Sequence, residues 1–183
     1  KNERLYRTQF RALGNPLAEL DLLLMRSQED ANRACRLGAD PRRVLVTGNT
    51  KYDRSFTSRP IDPALRAWAK GLCWVAGSLH ANDEGLVLRA QARLQPLFFG
   101  LKLIVAPRYL QRVPHILRKA KTLGLRGAQS SEPTDADVLV LDEMGLLASV
   151  YGRGQAAYVG GGFGRRGGQN IIEPAAQRRP VLF

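Results

Sequence analysis

From residue 73 onward, short and nearly unbroken apolar runs alternate with longer stretches of helical period, and few folds accept that rhythm. Strand 73–76 precedes helix 82–95, strand 102–106 precedes helix 111–123, and strand 137–141 precedes helix 145–152. Strand 156–160 runs into a glycine-rich loop and a helix from 171, and Pro180-Val-Leu-Phe183 opens a last strand. Strands apolar on both faces belong in a sheet covered on both sides, and helical crossovers make that sheet parallel. The expected class is α/β, with a parallel, doubly wound, Rossmann-like sheet. Ligands of such sheets bind beyond the carboxyl ends of the strands. Residues directly after each strand are therefore the first candidates for a site.

The chain before residue 54 reads differently. Leu20-Asp-Leu-Leu-Leu-Met25 reads as a short buried strand, Gln28 to Leu37 as a helix ended by Gly38, and Val44-Leu-Val-Thr47 as a second strand. Two parallel strands and a helix do not make a stable sheet alone. Tyr52 to Pro63 is polar, carries two prolines and lacks an apolar period, so it reads as a linker. Residues 1–53 and 54–183 are thus expected to be separate units.

Composition narrows the partners. No apolar run approaches the ~20 residues that cross a bilayer, and no secretory signal opens the chain. Cys35 and Cys73 lack metal-like spacing and read as buried free thiols in a reducing compartment. The net charge is +12, and residues 101 to 131 hold seven Lys or Arg without one Asp or Glu. That excess is either a solvated basic face or an attraction for anions: a nucleotide sugar, a phosphorylated lipid or an acidic membrane surface. Aromatic residues make up 7% and no nucleic-acid module is visible, so nucleic acid is not an expected partner.

The densest signal is Tyr158-Val-Gly-Gly-Gly-Phe-Gly-Arg-Arg-Gly-Gly-Gln-Asn-Ile-Ile-Glu-Pro-Ala175, with six glycines in nine positions. Glycines let backbone amides turn toward an anion, and Pro174 places a helix start close to Asn170, Ile171, Ile172 and Glu173. Such a mouth suits a phosphorylated ligand. Asn170 and Glu173 also fit a plain capping box. Arg108 follows strand 102–106, so its forked guanidinium is placed for a phosphate or for solvent. Met144-Gly145-Leu146 occupies the next strand-to-helix turn, where main-chain groups can read a base edge or Met144 can join the core. Ser78 and His80 are placed to help bind a donor, and Ser78 also reads as a helix cap. His80 and His115 lack ligand partners at helix spacing, and Asp135-Ala-Asp137 leads into a strand, so no metal site is expected. Gly162 to Gly167 spells G-x-G-x-x-G late in the unit, with no ribose-binding acid after it.

Several of these segments, in order, resemble the 3-deoxy-D-manno-octulosonic acid (Kdo) transferases. The carriers are Val46-Thr-Gly-Asn-Thr-Lys-Tyr-Asp53, Ala76-Gly-Ser-Leu-His80 with Glu84, Val105-Ala-Pro-Arg108, Leu141-Asp-Glu-Met-Gly145 and the Gly-Gly-x-Asn-x-x-Glu-Pro-Ala run. Matches extend from about Leu20 to the last residue. The resemblance implies a two-domain GT-B glycosyltransferase that moves Kdo from CMP-Kdo to a lipid A precursor. It works on the cytoplasmic face of the inner membrane as a peripheral protein, inverting, and without metal or cofactor. Residues 1–53 would then end the acceptor domain and cross to 54–183, the CMP-sugar donor domain with its last elements truncated. By resemblance, Pro107, Arg108, Met144, Gly145, Leu146, Asn170, Ile171, Ile172 and Glu173 bind CMP, and Lys51 supports the transition state.

The departures are Leu146 for a glutamate, Gly162 for a serine, and Tyr109 and Gln169 for two histidines. The glutamate that deprotonates the acceptor belongs to a preceding portion, so the chain reads as a fragment, soluble and inactive alone. A noncatalytic nucleotide-binding relative and a transferase for another nucleotide sugar remain open alternatives.

Overall fold

The computed structural model describes residues 2–49, 60–162 and 168–183, and the chain divides into two compact units, Lys1–Ser55 and Phe56–Phe183. The first contains α1 (Glu3–Leu13), β1 (Leu23–Met25), α2 (Gln28–Arg36) and β2 (Val44–Val46). The Ser27 hydroxyl caps α2 by accepting the Asp30 N–H at 3.2 Å. β1 and β2 pair in parallel, Leu23 opposite Val44 and Met25 opposite Val46. Their core is small: Leu23, Ala34 and Ala39 are buried, with Leu17, Met25 and Val44 against them.

One expectation needs correcting here. Leu20–Met25 reads from sequence as a buried strand, yet only Leu23–Met25 pairs, and Leu24, Leu45 and Val46 are exposed. Alternate side chains of a strand point to opposite faces, and α2 covers only one of them.

The second unit contains α3 (Pro63–Trp68), β3 (Cys73–Leu79), α4 (Ala81–Leu94), β4 (Lys102–Pro107), α5 (Val113–Thr122) and β5 (Gly127–Gln129). It continues with β6 (Val138–Val140), α6 (Leu147–Val150), β7 (Ala156–Val159), α7 (Ile172–Ala176) and β8 (Val181–Leu182). Its six strands lie in the order β5-β6-β4-β3-β7-β8, all parallel. Alternation along β3 feeds two cores. Cys73 and Val75 face Leu65 and Trp68 of α3, with Val150 and Tyr151. Ala76, with Trp74 against it, belongs to the other layer, beside Val87 and Leu88 of α4 and Ile116 of α5. The sheet is covered on both faces, as its unbroken apolar strands require.

The sequence pattern had not indicated α1, α3 or β5. The expected helix 145–152 is a short α6 continued by a tighter turn, Tyr151–Arg153. Burial raises the Cys73 thiol to about 12, whereas Cys35 is only half-buried.

Candidate functional site

Four strands of a parallel sheet deliver their following turns to one edge, and this decides which side chains meet. Pro107 closes β4 and Arg108 follows it, its N–H donating to Leu79 O at 2.8 Å. That bond ties the start of the β4–α5 turn to the end of β3. Met144 and Gly145 form the turn after β6, with Gly145 at φ +90°, a conformation that favours glycine. Pro107, Arg108, Met144 and Gly145 line one cleft together with Ser78 and Glu143. Its volume is about 70 Å³, room for one small ring or a few waters rather than a whole nucleotide. Arg108 is exposed, and its guanidinium has no hydrogen-bond or ion-pair partner among the described residues.

Ser78 is strained. Its φ of +56° is uncommon outside glycine, and strain of this kind persists where the surroundings over-determine it. It does not cap α4. His80 occupies the cap position, and its N–H donates to Asp83 Oδ2 at 2.9 Å. Gly77, the residue before Ser78, must be glycine for packing: a Cβ there would collide with the Tyr151 hydroxyl. Burial, then the negative charge of Glu173, holds that phenol protonated far above its ordinary range.

Leu146 turns away from this cleft. It packs against the core that holds Tyr151 and Val150, and borders a separate cleft with Ile61 and Asp142. Asn170, Ile171, Ile172 and Glu173 lie at the mouth of α7. Asn170 Oδ1 accepts the Ile172 N–H at 3.1 Å, and its amide donates to Glu173 Oε1 at 3.4 Å. These four residues do not line the Arg108 cleft, although α7 is tied to the segment after Gly145. Gln177 Nε2 donates to Ala148 O at 3.4 Å, and Arg179 Nη2 to Gly152 O at 2.7 Å. Lys51 lies outside the described residues, as does Phe163–Gly167 of the glycine-rich run.

Sequence reasoning missed two features of this edge. Glu143 lines the cleft one residue before Met144; its place at the carboxyl end of a strand was the available signal. The second is a cluster around His80. The Tyr109 ring packs edge-on against it at 6.2 Å between centroids, and Gln169 Nε2 stands 3.5 Å from its Nε2. Three carboxylates from the sequence motifs find structural work. Asp135 and Asp137 pair with Arg126 at 2.6 and 2.8 Å, and Glu84 is fully buried against Arg112. Among the described residues no group of three or more His, Cys, Asp or Glu could hold a metal ion.

A family model described as 3-Deoxy-D-manno-octulosonic-acid transferase (kdotransferase) matches residues 1–54. The 3-deoxy-D-manno-octulosonic acid transferase of Aquifex aeolicus is 32% identical over 165 residues, 90% of this chain and 44% of that protein. That of Bordetella pertussis is 33% identical over 187 residues, 93% of this chain and 42% of that protein. Over most of its length the chain is similar in sequence to Kdo transferases. It spans less than half the length of these curated Kdo transferases. Among solved structures, the C-terminal CMP-Kdo binding domain of WaaA from Acinetobacter baumannii matches with a TM-score of 0.57 and 26% identity. The match covers 66% of this chain and 70% of that domain. The parallel sheet of the second unit is therefore a GT-B C-terminal domain of the kind found in a Kdo transferase.

Proposed function

We propose that the protein is a glycosyltransferase that moves Kdo from CMP-Kdo to a lipid A precursor in lipopolysaccharide core biosynthesis. In this reading residues 54–183 bind the CMP-sugar and residues 1–53 end the acceptor domain. The observation that carries it is the exposed Arg108 guanidinium sharing a cleft with the Met144–Gly145 turn beyond the sheet. A guanidinium at such an edge suits a phosphate, and the main chain of a turn suits a base. The Leu146 side chain packs in the core, so any contact from this position is through the main chain. Asn170 to Glu173 contribute to the same nucleotide, with Glu173 accepting from the ribose hydroxyls.

As the glycosidic bond to the departing phosphate breaks, Arg108 and Lys51 take up the developing charge. Attack from the opposite face inverts the anomeric centre, and neither metal nor cofactor takes part. The acceptor hydroxyl is deprotonated by a base outside residues 1–183, so this chain alone is inactive. Calorimetric titration tests the donor half directly: CMP binds, and Arg108→Ala weakens it roughly tenfold to hundredfold, the worth of a charge-assisted contact. Equal affinity in the variant defeats the assignment.

Peripheral attachment at the cytoplasmic face of an anionic inner membrane belongs to the same proposal. The net charge of +12 supports it, as does the exposed Leu97-Phe98-Phe99 prong after α4. Co-sedimentation with anionic vesicles, lost at high salt, is the expected result; equal recovery with neutral vesicles counts against it.

One observation favours a second reading, in which the relative has changed donor or lost turnover. Tyr109 and Gln169, the two histidine replacements, both meet His80. CMP binding without transfer by the full-length protein supports lost turnover, and UDP displacing CMP supports a different donor.

A further inference from the structure

Asp83 is a buried carboxylate, 1% exposed, in the first turn of α4. It lines neither of the two clefts described above. Three donors converge on it. His80 N–H and Gly161 N–H reach Oδ2 at 2.9 and 3.1 Å, and the Tyr158 hydroxyl reaches Oδ1 at 3.2 Å. The first bond closes its own helix start. The other two belong to β7 and to the first glycines after it, 75 and 78 residues further along the chain.

The glycines are shaped for this contact. A Cβ on Gly160 would stand 2.9 Å from Asp83 Oδ2 and 2.7 Å from Ser78 O, so the backbone approaches closely only because no side chain intervenes. Gly161 adopts φ +94°, which turns its N–H toward the carboxylate. The far end of the glycine-rich run returns to the same place. Gln169 N–H donates to Gly160 O at 3.3 Å, and its side-chain amide meets His80. Both described feet of the run, Gly160–Gly162 and Gly168–Asn170, are thereby fastened at the β3–α4 turn.

We infer that Asp83 is a positioning residue: its carboxylate fixes the feet of the glycine-rich run, so the nucleotide meets a preset edge instead of ordering one. The anchoring stands on these contacts, while its effect on the donor rests on the proposed CMP-sugar function. A carboxylate accepting two main-chain amides in a dry site holds them more firmly than a neutral acceptor. Feet held in advance also spare the ligand the cost of ordering them.

Asp83→Asn keeps the shape and removes the charge; Tyr158→Phe removes only the hydroxyl contact and spares both amides. Hydrogen exchange followed by mass spectrometry, on peptides covering 158–171, reads the anchor without any ligand. Exchange there is expected to rise roughly tenfold or more in Asp83→Asn, with β4 and β6 peptides unchanged, and to change far less in Tyr158→Phe. In transfer assays of the full-length protein, the KM for CMP-Kdo rises about tenfold while the KM for the lipid A precursor is unchanged.

Unchanged exchange in Asp83→Asn, or a rise spread over the whole sheet, overturns the inference. So does weakened donor binding that Tyr158→Phe reproduces in full. A wild-type protein that fails to bind CMP sinks the donor reading alone, and the exchange result still decides the anchor.

Discussion

Glu84 shows how a residue picked out by a motif can owe its place to the core. The turn Ala76–His80 with Glu84 is one of the segments that carry the resemblance to Kdo transferases. In the fold the Glu84 side chain is wholly buried, and Arg112 Nε and Nη2 donate to its two oxygens at 2.9 and 2.7 Å. His115 Nε2 stands 3.7 Å away. The bond to Glu84 raises the Arg112 guanidinium further above its ordinary range. Removing one member of a buried pair leaves an uncompensated charge, typically costing about 3–5 kcal/mol. Arg112→Ala is therefore expected to lower the melting temperature by about 6–12 °C or more for a domain of this size. The double variant Glu84→Leu with Arg112→Met is expected to recover most of that loss. A melting temperature for Arg112→Ala within about 2 °C of wild type, less than 1 kcal/mol, would show that the pair carries no such strain.

Elements were legible where burial dictated composition and obscure where it did not. β3, β4, β6 and β7 announce themselves as apolar runs because both of their faces are packed. β5 is only Gly127-Ala-Gln129 at the edge of the sheet, and no periodicity marks it. α1 buries no residue, and the short α3 begins at Pro63, where the stretch read as a linker ends. At the strand ends, Pro107, Arg108, Met144 and Gly145 gather in one cleft, as residues that directly follow parallel strands can, whereas the convergence of Asp83, Tyr158 and Gly161 joins positions far apart in sequence.

The β5–β6 edge gives a prediction at this scale. Bonds from Arg126, then burial acting the other way, hold the Asp137 carboxyl below its ordinary value near 3.8. A depressed folded value means stability fully present above about pH 4 and lost as pH falls through the lower, folded value. Asp137→Asn removes that linkage. Urea midpoints measured from pH 6 to pH 2 should fall less steeply for the variant below pH 4, and lie lower at pH 6. Parallel curves for the two proteins would assign the acid limb to other groups.

On the scale of the whole molecule, the two units differ in what holds them. The second has a six-stranded sheet between two clusters of buried side chains. The first has a two-stranded sheet over a small cluster of Leu23, Ala34 and Ala39, with Ala31 of α2 also buried. Two strands are marginal without further cover, and apolar burial is the main term that offsets chain entropy. Its ion pairs do little to close that gap. Arg33–Glu29, Arg42–Asp40 and Arg36–Glu3 are solvent-exposed, and such pairs contribute about 0–1 kcal/mol each. Local stability should therefore be unequal, with openings of Lys1–Ser55 far commoner than openings of the large sheet. Amides of β1 and β2 are expected to exchange with solvent at least a hundredfold faster than those of β3 and β4, corresponding to about 3 kcal/mol. Urea should accordingly melt the chain in two steps, the first leaving the near-ultraviolet signal of Trp68 and Trp74 intact. A single cooperative transition seen alike by exchange and by tryptophan would mean that the small unit draws its stability from the large one.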